Sequence, residues 1–224
     1  MKAVISLGGS ILMSDFDAEK IKKYGRVIEE LSHNNTVFIV VGGGKIARNY
    51  IEVARTLGAD ETFCDYIGID VTRLNAEVLV VSISKAPRKI PSDFREAYEL
   101  SMLHPVVVMG GTFPGHTTDA TAALLAEYIN ADILLIATSV DGVYSEDPVK
   151  KPDAVRFDKI SARELVEIVS RQELKAGSKN VVDLLAAKVI ERSKIKTVVF
   201  LGSPENMERA FKGDLVGIGT AIES

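Results

Sequence analysis

A chain of 224 residues, 46% of them hydrophobic, has enough apolar content for one large α/β domain or two small lobes. A formal charge of −4, with no clustered runs of Lys and Arg, excludes a surface built for a nucleic-acid backbone; a small anionic ligand, held by local N–H groups and one or two cations, is not excluded. The single cysteine, Cys64, rules out an intrachain disulfide framework and a cysteine-based metal cluster, and reads as a buried spectator.

Met1 to Leu12 superficially resembles a signal peptide, but Gly8, Gly9 and Ser10 interrupt its apolar region, and Asp15 and Asp17 follow. No run approaches the roughly 20 apolar residues of a membrane span. The expectation is a soluble cytoplasmic protein with no membrane partner.

Ala3 to Leu7 is an apolar run ended by Gly8-Gly9-Ser10, a strand entering a tight turn. From Asp17 to Ser32, Ile21, Tyr24, Val27, Ile28 and Leu31 fall on one helical face. Thr36 to Val41 is apolar without alternation, as in a strand covered on both faces of a parallel sheet, and Gly42-Gly43-Gly44 ends it. Ile46, Tyr50, Val53, Ala54 and Leu57 then follow helical spacing up to Gly58, a C-terminal cap. Residues 66–83 predict a helix carrying Ile67, Val71, Leu74 and Val78 inward, although Val78 to Val81 also reads as strand. Lys85 to Pro91 is a loop and Ser92 to Leu103 a short helix.

Pro105 to Met109 predicts a strand, and Ala120 to Ile129 a helix. Between them lies Gly-Gly-Thr-Phe-Pro-Gly-His-Thr-Thr-Asp-Ala (residues 110–120). A strand that breaks into glycines and restarts as a helix leaves free N–H groups aimed at one point, an anion site. Gly110, Gly111 and Gly115 let the backbone approach a ligand, Pro114 stiffens the turn, and Thr117, Thr118 and Asp119 offer a helix cap as well as ligand contacts. Asp132 to Ala137 is another buried strand, closed by Thr138-Ser139-Val140-Asp141-Gly142-Val143-Tyr144. Ser145 to Phe157, with Pro148 and Pro152, reads as an exposed excursion. Helices at Ser161 to Arg171 and Val181 to Arg192 flank a mobile-looking Lys175 to Lys179. A strand at Thr197 to Leu201, a short helix and a terminal strand near Val216 to Ala221 complete the pattern. The fold class is α/β with a largely parallel sheet. The whole of residues 1–224 reads as one domain, with a soft division near residue 130.

Gly42-x-Gly44-x-x-Ala47 fits a loosened dinucleotide fingerprint, but the acidic residues that should end a second strand, Asp60 and Glu61, directly follow a helix instead. A Walker A loop is absent, since Gly44-Lys45 is followed by Ile46. Any one glycine pair is ordinarily a turn without a ligand. Three such loops, each after an apolar strand, point to several phosphates held by N–H groups together with cations. Lys45 and Arg48, in the first turn of the second helix, can supply that charge, and Lys45 reads equally as a solvated helix residue.

Gly8-Gly9-Ser10, Gly42 to Arg48, Gly110 to Ala120, and Thr138 to Tyr144 with Asp147-Pro148 occur in the order found in the amino acid kinase family. Within that family the chain resembles the archaeal-type uridylate kinases, over essentially its whole length. The resemblance implies a three-layer αβα sandwich, with residues 1–130 on the UMP side and 131–224 on the ATP side. It implies that Gly9 and Ser10 face the transferring phosphate and ATP, that Gly43 contacts UMP, and that Gly44 and Arg48 contact the ATP phosphates. Asp65 would hold the UMP ribose, and Thr112, Phe113, Pro114, Gly115, His116, Thr117 and Thr118 would wrap the uridine. Thr138, Ser139, Tyr144 and Asp147 would form the adenosine pocket. It also implies a homohexamer. Tyr144 reads equally as core packing, Asp147-Pro148 as a plain turn, and His116 as a loop hydrogen-bonding group rather than a metal ligand. Many members carry Lys at the position of Ser6, and related kinases often have Asn at the position of Ser139.

The expected chemistry is transfer of the γ-phosphate of ATP to UMP in pyrimidine nucleotide biosynthesis. An acceptor phosphate oxygen is already anionic, so in-line placement and charge neutralisation suffice. Gly9, Ser10, Lys45, Arg48 and Mg2+ are expected to neutralise charge and Asp119 to orient these groups or the magnesium, whose ligands the sequence does not identify. Asp183 is a weaker candidate, explained equally by a helix cap. The rivals are a kinase of the same scaffold acting on isopentenyl phosphate, carbamate or acetylglutamate, and a non-catalytic nucleotide- or oxyanion-binding module.

Overall fold

The apolar runs become strands, and their register decides where the glycine turns meet. The structure, a computed structural model, describes residues 1–146, 148, 151–173 and 181–223. Its strands are β1 (Lys2–Leu7), β2 (Thr36–Val41), β3 (Val106–Met109), β4 (Ile133–Thr138), β5 (Lys159–Ser161), β6 (Thr197–Leu201) and β7 (Gly219–Glu223). They form a seven-stranded sheet in the order β3-β2-β1-β4-β6-β7-β5. Every neighbouring pair is parallel except β6 with β7. Leu7 pairs with both Val41 and Ala137, and Val40 pairs with Met109, so the turns after β1, β2, β3 and β4 all start at one carboxyl edge. An open parallel sheet presents ligand sites at that edge.

Alternation along β1 assigns its two faces. Ala3, Ile5 and Leu7 belong to one apolar cluster, with Ile21, Tyr24 and Ile28 of α2 (Ala18–Leu31), Leu79 and Val80 of α4 (Glu61–Val80), and Met207 and Ala210 of α9 (Pro204–Lys212). Val4 belongs to the other, with residues of α5 (Phe94–Ser101), α6 (Thr118–Tyr128), α7 (Ala162–Glu173) and α8 (Leu184–Ser193). Helices cover both faces, giving the expected three layers. The short turn α1 (Gly9–Leu12) and α3 (Gly44–Thr56) start at the carboxyl edge.

Two apolar stripes turn outward, the one on α4 against expectation. On α3 only Ala47 is buried, while Tyr50, Val53 and Leu57 are exposed by 61%, 59% and 83%. On α4, Val71 is buried as expected, but Leu74 and Val78 lie in the open. Helical spacing reveals a stripe without saying which stripe meets the sheet. The side of α4 that packs includes Cys64, Thr72, Asn75, Ala76 and Leu79. Residues 78–80 are helical, not strand, because they continue a helix that begins earlier than expected, at an Asp60 cap that accepts from the Phe63 N–H at 2.8 Å. β5 is a strand the sequence did not announce: three residues are too few to show a period. The last strand begins at Gly219, after Val216. Tyr144 bridges Arg156 in antiparallel fashion, so the excursion after β4 folds back on itself. Lys175 to Lys179 lie outside the described residues.

Candidate active site

The first two glycine turns touch. Gly8 N–H donates to Ala137 at 3.1 Å and Gly42 N–H to Leu7 at 2.9 Å, so each turn leaves the sheet as a continuation of its ladder. A Cβ on Gly9 would lie 2.2 Å from the Gly42 carbonyl oxygen and 2.5 Å from Gly44 N. Gly44 has φ +64 and packs as closely against the backbone of Gly9 and Ser10. Only glycine fits a crossing this tight. The third turn joins through α4. Gly111 N–H donates to Thr72 Oγ1 at 2.7 Å, and one helical turn further on Asn75 Nδ2 donates to the Gly42 carbonyl at 2.9 Å. Thr72 and Asn75 are buried at 6% and 3%, and together they tie the second and third glycine turns to one helix.

Two adjoining clefts result. One is lined by Gly43, Gly44, Ala47, Arg48, Asp65, Gly68, Ile69, Thr72, Gly111, His116, Thr117 and Thr118. The other is lined by Gly8 to Ile11, Gly42 to Gly44, Arg48, Thr118, Asp119 and Ala137 to Ser139. Gly43, Gly44, Arg48 and Thr118 line both, so the two spaces share a wall. The N-termini of α3 and α6 open onto that wall, where first-turn N–H groups lack helical partners and favour anions. Arg48 Nη2 donates to Ser10 Oγ at 3.2 Å, placing a guanidinium at the junction.

On the first cleft, Asp65 of α4 accepts from Gly115 N–H at 2.7 Å, which draws the loop after β3 toward the helix. Thr117 caps α6, accepting from Ala120 N–H at 3.0 Å, and its hydroxyl donates to Asp183, which caps α8 by accepting from Ala186 N–H at 2.9 Å. Both roles foreseen for Asp183 thus stay in play: it is a cap, and it touches a residue of the cleft. Thr112, Phe113, Pro114 and Gly115 are outside the cleft lining, with Phe113 exposed by 63% and its ring 6.1 Å from that of His116.

On the second cleft, Asp119 hangs from the first turn of α6 and accepts from Ser6 Oγ at 2.6 Å. Burial pushes its carboxyl up to about 6, against the opposing effect of the Ser6 hydrogen bond and with a further push from the Asp183 charge. Thr138 and Ser139 line this cleft. Tyr144 does not: its hydroxyl donates to Asp141 at 2.7 Å, and Arg156 holds the other Asp141 oxygen at 3.0 Å. Lys45 is exposed in the first turn of α3, outside both linings. Asp147 lies outside the described residues. Among the described residues no group of three or more His, Cys, Asp or Glu side chains is arranged to hold a metal ion, and no helix is long and apolar enough to cross a membrane.

Sequence reasoning missed Thr72 and Asn75. Their signal was two hydrogen-bonding residues three apart in a helix, which reads as polar surface until the helix is seen to be turned with that side inward.

An open, mostly parallel sheet with glycine turns gathered at its carboxyl edge defines an α/β protein of the class whose ligand sites lie at that edge. The model of the amino acid kinase family matches residues 1–201, and the chain belongs to that family. It is 62% identical over 217 residues to a uridylate kinase of Archaeoglobus fulgidus, covering 97% of this chain and 98% of that one. It is 51% identical to a uridylate kinase of Methanocaldococcus jannaschii over the full length of both. The crystal structure of uridylate kinase from Archaeoglobus fulgidus superposes with a TM-score of 0.91 at 60% identity, covering 99% of this chain and 100% of that one.

Proposed function

We propose that this chain is an ATP-dependent UMP kinase, moving the γ-phosphate of ATP onto UMP to give UDP and ADP in pyrimidine nucleotide biosynthesis. The observation that carries the reading is the wall common to both clefts, Gly43, Gly44, Arg48 and Thr118. Two phosphate chains entering from opposite sides meet there end to end, the arrangement that in-line transfer requires. The cleft with Asp65, His116 and Thr117 takes UMP, residues 112–115 closing over its base from the rim. The cleft with Gly9, Ser10, Thr138 and Ser139 takes the ATP phosphates and the start of the adenosine, with Tyr144 further out and Asp147 as a further adenosine contact. Residues 1–130 and 131–224 then act as acceptor and donor lobes of one domain.

Chemistry in this reading is positioning and charge neutralisation. N–H groups of Gly9, Ser10, Gly43 and Gly44 and the Arg48 guanidinium stabilise the equatorial oxygens of the transferring group, which a dry, preorganised site does more effectively than water. Lys45, three residues before Arg48 on α3, adds positive charge beside the site. Asp119 orients the cationic side of the site. Mg2+ held with the ATP phosphates would supply further charge neutralisation there, with Asp119 the carboxylate in that cleft's lining. The protein works in the cytoplasm as a homo-oligomer, a hexamer by family resemblance. Supporting this are the exposed Tyr50, Val53 and Leu57 of α3 and Phe63, Tyr66, Leu74 and Val78 of α4, an apolar surface of the kind that associates.

A coupled assay with ATP and magnesium across UMP, CMP, acetylglutamate and isopentenyl phosphate tests the reading. UDP formation with preference for UMP is expected. Turnover of isopentenyl phosphate alone rejects the substrate, and nucleotide binding without UDP formation rejects the enzyme.

A further inference from the structure

Ser6 sits in the middle of the sheet on a strand whose other described interior residues are apolar, and it is 1% exposed. Along β1 it falls on the same face as Val4, toward α6. A hydroxyl buried there without a partner would cost about 1–3 kcal/mol. Its partner is Asp119 Oδ1 at 2.6 Å, across 113 residues of sequence. Among the described residues no donor is hydrogen-bonded to the second Asp119 oxygen, and Asp119 lines the cleft that also holds Gly9, Ser10 and Arg48.

We propose that Ser6 is a positioning residue for phosphoryl transfer: its hydroxyl anchors one oxygen of Asp119, fixing the carboxylate in one rotamer and in its ionised form at the cleft wall. The proposal rests on the UMP kinase reading of that cleft.

The charged groups facing Asp119 are few. Asp183, at the start of α8, opposes its ionisation. Arg48, from α3, lines the same cleft. The strands β1, β2 and β4 packed on α6 bring no titratable side chain except Lys2, at the far end of β1, and α8 brings Lys188 and Glu191, paired with each other, and Arg192, paired with Glu127 near the far end of α6. Ser6 is therefore the neutral donor that holds the carboxylate charged against burial and a like charge, without adding a cation to a site that must accept and then release polyphosphates. A hydrogen bond to the charged form lowers a carboxyl pKa, so its removal moves Asp119 upward and leaves a larger protonated fraction at any pH near 7.

The experiment compares the full-length wild type with Ser6→Ala and Ser6→Thr by steady-state kinetics between pH 5.5 and 9. For Ser6→Ala a drop of about tenfold in kcat is expected, with KM for UMP and ATP within about twofold of wild type, since the group acts on a catalytic carboxylate and not on either nucleotide. The acid limb of its kcat profile moves to higher pH, and Ser6→Thr, which keeps the hydroxyl, restores it. Ionisation of UMP is common to all three enzymes and cancels in the comparison. An Ala variant with wild-type kcat and an unmoved acid limb overturns the proposal, as does a uniform loss of rate with no movement of the limb. Titration of the Asp119 carboxyl by carbon-13 NMR in the same variants reads Ser6 without turnover. If the wild type makes no UDP, the kinase reading fails, while the NMR shift still decides whether Ser6 controls Asp119.

Discussion

Arg48 and Asp119 are the residues whose chemistry is most exposed to test. Arg48 reaches Ser10 and lines both clefts, so it is the side-chain cation placed where two phosphate chains would meet. Arg48→Ala should lose about a hundredfold in kcat, the cost of one charge-assisted donor to a developing anion; undiminished turnover removes Arg48 from the mechanism. Asp119 makes a different prediction, through stability. Its carboxyl is pushed up to about 6 by burial, so the native state holds this proton more tightly than the unfolded chain does. A raised group contributes stability that is full below about pH 4 and is lost as pH rises through about 6. At neutral pH the ionised carboxylate is therefore a net cost, on the order of 2 kcal/mol. Asp119→Asn keeps an acceptor for Ser6 and removes the charge. It should melt several degrees higher than wild type at pH 7.5, with the difference closing by about pH 4, while kcat falls steeply. Equal melting temperatures across that range would contradict the burial of the charge.

At the scale of elements, the fold was legible where a period was long, and most helix starts carried a cap, though the Asp60 cap of α4 was not read. Asp17, Asp93, Thr117, Asp183 and Ser203 each cap the helix that follows by accepting a backbone N–H, and Gly58, with φ +96, follows the end of α3. The apolar runs of β1, β2, β3, β4 and β6 were readable because strands covered on both faces carry no polar alternation. Which stripe of α3 and α4 faces inward was not readable, because the decision lies in a contact between distant segments. Asn75 shows this: it packs inward because the Gly42 carbonyl needs a donor, a demand created by a turn 33 residues away. Asn75→Ala should leave that carbonyl without its donor and cost about 1–3 kcal/mol in chemical denaturation, with loss of activity, because the same helix also holds Gly111. A variant as stable and active as wild type would show that the glycine turns keep their place without α4.

At the scale of the whole molecule, the sequence signalled a phosphate site through three glycine turns but could not give their common level. That level follows from parallel register, with Leu7 against both Val41 and Ala137 and Val40 against Met109. The outward apolar faces of α3 and α4 carry a prediction about assembly. Val53→Glu, at a position 59% exposed, should leave the fold intact and reduce the mass seen by light scattering, whereas an unchanged mass places the interface elsewhere. The central claim is that two nucleotides meet phosphate to phosphate across one wall. Adenosine and uridine joined through a pentaphosphate span that junction in a single molecule, so inhibition by this compound in the steady state is the most direct measurement. The account predicts competition against both ATP and UMP, with an affinity exceeding that of either substrate. Competition against one nucleotide alone, with the other binding unhindered, would contradict it.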